Sequence, residues 1–145
     1  MKYDYDSIKQ GSSIAAEPLV SYVAMATPLR LIHRSRLGIS RSTFMNIAKD
    51  IKRSVIELAE ILPSSYSTLT KKEVFDKATS EHIFMIQELF NYGVEVFGDL
   101  NKFNAWLNIA VPSFEGVTPF SLLDTSFGID LVKEELHKID HGLPV

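Results

Sequence analysis

The chain has 145 residues, is 46% hydrophobic and 23% charged, and contains no cysteine; that excludes a disordered chain, a disulfide scaffold, thiol catalysis and thiolate metal sites. One domain, or two very small ones, fits the length, no apolar run approaches the ~20 residues of a membrane span, and the N-terminus lacks a secretory signal, so the expected address is cytoplasmic. The net charge of -3 conceals a polarity: residues 1–53 hold nine basic and four acidic side chains, whereas residues 80–145 hold three basic and ten acidic ones.

Residues 1–27 read as a tail, with a short helix from Leu19 to Ala26. Thr27-Pro28 sets an N-cap before a proline at the first helical position, and Gly38 marks the stop. The helix between them is expected to use Leu29, Ile32 and Leu37 as its apolar face. Ser40 caps a helix to about Ile51, with a stripe of Phe44, Ile47, Ala48 and Ile51. Ser54-Val-Ile-Glu57 is a capping box opening a short helix with Ile56, Ala59, Ile61 and Leu62. Pro63 stops it. Ser64-Ser65 starts a second short helix, with Leu69 pointing into the core. Two short helices across a tight turn are the helix-turn-helix plan.

Thr79 or Ser80 is expected to start the longest helix, whose apolar face is Ile83, Ile86, Leu89, Phe90, Val94 and Phe97. Gly93 weakens its middle, which points to a close helix crossing; Gly98 ends it. Asp99 caps a helix presenting Phe103, Trp106 and Leu107, with Trp106 expected in the core. Thr118-Pro119 starts a short helix with Phe120, Leu122 and Leu123. Thr125 caps the last helix, with Ile129, Val132, Leu136 and Ile139 inward and His141-Gly142 at its end. The fold class is all-α. The divisions are a tail over 1–27, a helix-turn-helix domain over 28–78 and a small helical domain over 79–145.

Enzyme chemistry finds little support. His137 and His141 are spaced i,i+4, with Glu134 one turn ahead, which is a metal-compatible spacing. Histidines in a last helical turn are explained as well by the helix dipole. The chain carries no phosphate-binding loop, no dinucleotide fingerprint and no nucleophile elbow. No catalytic residue, metal or cofactor is expected. The basic cluster around Arg30, Arg34, Arg36, Arg41, Lys49, Lys52 and Arg53 suggests an anionic partner. In a helix-turn-helix the second helix enters the major groove. Its candidate contacts here are Ser65, Tyr66, Ser67, Thr70, Lys71 and Lys72, with Arg41 and Lys52 on flanking phosphates.

The C-terminal half carries a more specific pattern: Glu95-Val-Phe-Gly-Asp99, Phe103-Asn-Ala-Trp106-Leu107, Glu115-Gly-Val-Thr-Pro119, Leu122-Leu-Asp-Thr125, Gly128, Val132, Leu136 and Ile139-Asp-His-Gly142. In order and spacing it resembles the toxin-binding domain of the Xre/MbcA/ParS antitoxins. Arg36-Leu-Gly38-Ile-Ser40, Ile56-Glu-Leu-Ala59 and Ser80-Glu-His82 resemble the Xre-like helix-turn-helix half of the same proteins. The resemblance spans about residues 28–145. It implies a non-catalytic antitoxin without a cofactor. Its implied partner is a RES-domain toxin that degrades NAD and whose active-site entrance the C-terminal domain obstructs. It also implies a homodimer, a toxin–antitoxin hetero-oligomer and binding of promoter DNA by the other half. The family's recognition helix reads R-T-L followed by another Arg; here the stretch is Ser67-Thr-Leu-Thr-Lys-Lys72, without arginine.

The toxin-facing surface expected from these residues is the outward side of the last helix, Asp130, Lys133, Glu134, His137, Lys138, Asp140 and His141. A projecting tail of Gly142, Leu143, Pro144 and Val145 would follow it. Exposed apolar area beside a charged rim is a binding cue. The competing reading is a stand-alone helix-turn-helix transcription regulator whose C-terminal domain only dimerises.

Overall fold

In the computed structural model, which describes residues 26–143, every α-helix begins at a Ser, Thr or Asp whose side-chain oxygen accepts a first-turn amide. Seven α-helices result among the described residues: α1 Pro28–Leu37, α2 Arg41–Asp50, α3 Val55–Ile61, α4 Tyr66–Lys71, α5 Lys77–Phe97, α6 Leu100–Leu107 and α7 Ser126–Asp140. The only strand-like pairing among them is a single bridge between Ser40 and Val74. The all-α class expected from the sequence is what the chain adopts. The short helix expected from Leu19, and residues Pro144 and Val145, lie outside the described residues.

The caps set the boundaries. Ser54 and Glu57 form the full capping box, and Ser65 Oγ accepts the Thr68 amide. α3 and α4 are thus two short helices about a turn at Leu62–Ser65, consistent with a helix-turn-helix. The longest helix begins at Lys77 rather than at Thr79 or Ser80, because Asp76 accepts the Thr79 amide at 2.8 Å. The two hydroxyls have tertiary duties instead, which explains why both are fully buried. Thr79 Oγ1 is 2.6 Å from Ser64 Oγ, and Ser80 Oγ accepts the Ile39 amide at 2.8 Å. The Thr79 amide and hydroxyl hold the Asp76 carboxyl below its usual pKa range.

α5 is the shared support, packing against α1, α6 and α7. At about 1.5 Å per residue its 21 residues span roughly 31 Å. It starts two residues ahead of position 79, so the expected division of the chain falls within its first turn. Ile83, Ile86, Leu89 and Phe90 are buried along it. Gly93 forms a notch for Phe103 of α6: a Cβ there would overlap the Phe103 ring. The close crossing expected at Gly93 is this contact. Phe103 meets Phe90 edge-on at 5.1 Å, a geometry worth about 0.5–1.5 kcal/mol beyond area burial. Trp106, expected in the core, is half-buried, tilted against Phe97 at 5.6 Å and stacked over Phe103 at 6.1 Å. It covers the edge of that cluster.

Three further expectations are corrected. Leu29, Ile32 and Leu37 of α1 face solvent, and Arg30 and Ser35 are buried instead. The spacing did define a stripe, but the exit of α1 sets its roll. Gly38 lies against the Phe75 carbonyl and Val74, and the Ile39 amide is tied to Ser80. In α3, Ile56 is exposed while Leu58 and Ile61 enter the core. The segment after Thr118-Pro119 is a 3-10 turn, Phe120–Leu122, and another precedes it at Pro112–Phe114. Phe120 and Leu123 are buried, as Ile129, Val132 and Leu136 of α7 are.

A polar seam joins the basic and acidic parts of the sequence. Arg53 is 6% exposed. Its Nε donates to Asn104 Oδ1 at 2.8 Å, Nη1 to Glu57 Oε2 at 2.7 Å and to Asn108 Oδ1 at 3.1 Å, and Nη2 to the Asn104 carbonyl at 3.3 Å. The guanidinium lies 4.2 Å over the Phe120 ring. Asn104 Nδ2 in turn donates to the Ile51 carbonyl. Arg53 therefore belongs to the interior, not to the basic surface with which the sequence grouped it.

Candidate functional site

Of the two flanking cations expected at DNA, Arg41 is brought to α4 and Lys52 is not. Arg41, at the start of α2, donates to the Lys71 carbonyl at 2.7 Å and pairs with Glu73 at 2.8 Å. Its charge is partly offset by that carboxylate. Lys52, at the other end of α2, has a positive φ of 55° and donates to Asn101. At about 1.5 Å per helical residue it lies some 16 Å along the axis from Arg41, beside α6 rather than α4. Ser65 is committed to its cap, donating its hydroxyl to Thr68 Oγ1 and accepting the Thr68 amide. Thr70 Oγ1 donates back to the Tyr66 and Ser67 carbonyls. Leu69 is fully buried, as expected. The exposed side chains left on this element are Tyr66, Ser67, Lys71 and Lys72.

The residues expected at a protein partner divide between two sides of α7. Helical geometry sends Lys133, His137 and Asp140 toward α5. Lys133 Nζ is 3.4 Å from Glu88 Oε1. With Tyr92, Glu134 and His137, this pair lines a depression of about 360 Å³. Glu88 also lines the neighbouring depressions between α5 and α1, which include Leu31, Ile32 and Met85, so the groove continues along α5. Burial, together with the Asp140 and Glu95 carboxylates, pushes the Tyr92 phenol above its usual pKa range. The groove is lined by charges of both signs, Glu81, Glu88, Glu95 and Glu134 with Arg36, Lys77 and Lys133.

Lys138 and His141 lie on the outward side, Glu134 stands at the rim between that side and the depression, and Asp130 is exposed. Lys138 leans toward the buried Glu135 at 3.8 Å, and Glu135 also accepts from Ser113 Oγ at 3.0 Å. Glu135 was missed by sequence reasoning, since nothing local distinguishes it from Glu134. The His137 and His141 rings are 4.1 Å apart, and His141 Nδ1 donates to the His137 carbonyl at 2.9 Å. Among the described residues no three His, Asp or Glu side chains converge as metal ligands.

At the helix end the structure describes only the start of the expected tail, Gly142 and Leu143. Gly142 takes φ 65°, its amide donates to the Ile139 carbonyl, and the Leu143 amide donates to the Lys138 carbonyl at 2.8 Å. This paired return is the Schellman arrangement. The Leu143 backbone is thereby tied to the last turn, with its side chain half exposed.

Large exposed apolar side chains give a signal that sequence reasoning overlooked. Phe127 in the first turn of α7 is 87% exposed, and Leu131 one turn later is 43% exposed. Among the described residues no helix is long and apolar enough to cross a membrane.

Residues 93–142 match the family model of the antitoxin Xre/MbcA/ParS C-terminal toxin-binding domain. The match runs from the Gly93 notch through α6, both 3-10 turns and α7 to the Gly142 cap. It meets the resemblance drawn from the C-terminal residues; residues 28–92 lie outside it. No curated protein matches the chain.

Proposed function

We propose that the chain is the antitoxin of a type II toxin–antitoxin pair, acting by binding rather than catalysis in the cytoplasm. In this reading residues 79–145 neutralise a RES-domain, NAD-degrading toxin and residues 28–78 bind promoter DNA. The observation that carries it is the toxin-binding family match over residues 93–142, joined to an exposed acidic face on the helix that closes the matched region. An enzyme that takes NAD needs positive character around the cofactor's phosphates, and Asp130, Glu134 and Asp140 complement such a cleft. The exposed Leu29, Ile32 and Leu37 of α1 offer apolar surface for the homodimer.

The test is co-expression with the product of the adjacent gene, followed by NAD consumption of the purified partner titrated with this chain. Removing residues 141–145 is expected to leave the fold intact, because α7 keeps its buried residues. It should weaken inhibition sharply, because the capped end of α7 is lost. Equal inhibition by both forms moves the blocking role to the Lys133 and His137 side of α7. Failure of the full chain to inhibit favours the stand-alone regulator.

For DNA, the exposed cations at the end of α4 give a separate expectation. Lys71→Ala and Lys72→Ala should each reduce the log-log salt slope of promoter binding by about one unit. Gel-shift titrations across a salt series measure it; an unchanged slope in the double variant removes α4 from the DNA site.

A further inference from the structure

We infer that Phe127 and Leu131 are the apolar anchor by which the acidic half grips its partner, and that the partner carries an apolar pocket rimmed by Lys or Arg. The inference rests on the antitoxin reading above and deepens it by naming the contact and the chemistry it requires.

The exposure of Phe127 follows from how α7 is seated. Thr125 Oγ1 accepts the Gly128 amide at 3.0 Å, and Gly128 lies directly against the Leu122 carbonyl. Gly128 and Ile129 thus fix the buried side of the first turn. Phe127 is left on the opposite side with no core residue to cover it, and Leu131 follows at i+4 on the same face. An aromatic side chain can bury about 150–250 Å², and on a free surface that potential is unused.

The surroundings specify the occupant. The face continues at helical spacing from Phe127 and Leu131 to Glu134, Lys138 and His141, so it joins the candidate surface at the capped end. Lys138 is drawn toward Glu135, leaving Asp124, Asp130 and Glu134 as exposed acidic residues around the apolar pair. Both anchors fall within the region matched to a toxin-binding domain. An apolar centre with a charged rim is the arrangement in which aromatic residues carry most of a binding energy. The 13 helical steps from Phe127 to Asp140 place the two ends of α7 about 20 Å apart. Gripping and obstruction are therefore separable functions of one helix.

The experiment measures binding of the purified RES-domain product of the adjacent gene to the full chain and to Phe127→Ala, Leu131→Ser and Asp130→Asn/Glu134→Gln variants. Phe127→Ala is expected to weaken binding about 30-fold, as a hot-spot residue does. The charge variant should slow association at low salt and converge with the parent at high salt. Phe127→Ala and the charge variant should keep the parent's melting temperature, since those side chains are exposed; Leu131→Ser should lower it slightly, since Leu131 is 43% exposed and serine is the weaker helix former. Parental affinity in both Phe127→Ala and Leu131→Ser overturns this inference while leaving the antitoxin reading intact. No binding even by the parent overturns both. Loss of a homodimer in Phe127→Ala, with partner affinity unchanged, reassigns the face to self-association and also overturns it.

Discussion

Gly128→Ala is expected to destabilise the protein by about 3 kcal/mol, combining overpacking with a weakened helix cap. A Cβ at this position would meet the carbonyl oxygen and carbon of Leu122, backbone atoms that cannot rotate aside. The first turn of α7 must then retreat from the Phe120–Leu122 turn. That retreat strains the Thr125 cap and loosens Ile129, which is fully buried. Urea denaturation measures the loss. Gly98→Ala provides the contrast: φ there is 76° but nothing stands within 4 Å of the added carbon. Its cost is only the local strain of about 1 kcal/mol. Equal losses at the two positions would mean that α7 has room to shift at its start.

Arg53→Ala is expected to cost about 1–3 kcal/mol, the range for leaving buried acceptors without a donor, because the Glu57 carboxylate left behind is 42% exposed. The substitution leaves Asn104 Oδ1, Asn108 Oδ1 and the Asn104 carbonyl without their donor, and removes the cover of the Phe120 ring. Arg53→Lys should recover only part of the loss, because an ammonium cannot reproduce the planar fork. Burial opposes ionisation of Glu57, but the Arg53 guanidinium and the Ser54 amide and hydroxyl outweigh it and hold the carboxyl below its usual range. A depressed carboxylate stabilises the fold at neutral pH, and that contribution disappears as pH falls through the lowered value. The difference between Arg53→Ala and the parent should therefore narrow in acid. Equal stability of the two at neutral pH would show that the seam is dispensable.

The helix starts were legible because a cap is a local event: Thr27, Ser40, Ser54, Ser65, Asp99 and Thr125 act within three residues of themselves. The one misplaced start, at Asp76, had a competing pair of hydroxyls whose tertiary partners no local pattern reveals. Orientation was less legible than position. Leu29, Ile32 and Leu37 form a helical stripe, yet α1 turns it outward because Gly38 and Ile39 are fastened to the chain around Phe75 and Ser80. Among the candidate site residues, charge type was readable and sidedness was not. Lys133 and Lys138 look alike in sequence, but one joins Glu88 across the groove and the other leans on Glu135. Arg53 looked like surface charge because Glu57, its one nearby acceptor, is a usual surface partner, while Asn104 and Asn108, which bury it, lie some fifty residues away. Phe127 was passed over because nothing nearby in sequence separates an exposed phenylalanine from a buried one.

The seam around Arg53 bears on how such a chain can change over generations. Lys52 to Asn101, Arg53 to Asn104 and Asn108, and Asn104 back to Ile51 are matched donor–acceptor pairs linking the basic front to the acidic back. A recombinant that took one part from a distant relative would have to find asparagines in register with the arginine. Otherwise it would enclose a cation among apolar side chains. Whatever each part recognises, exchange of one part alone is expected to cost stability, whereas substitution on exposed faces leaves the seam intact.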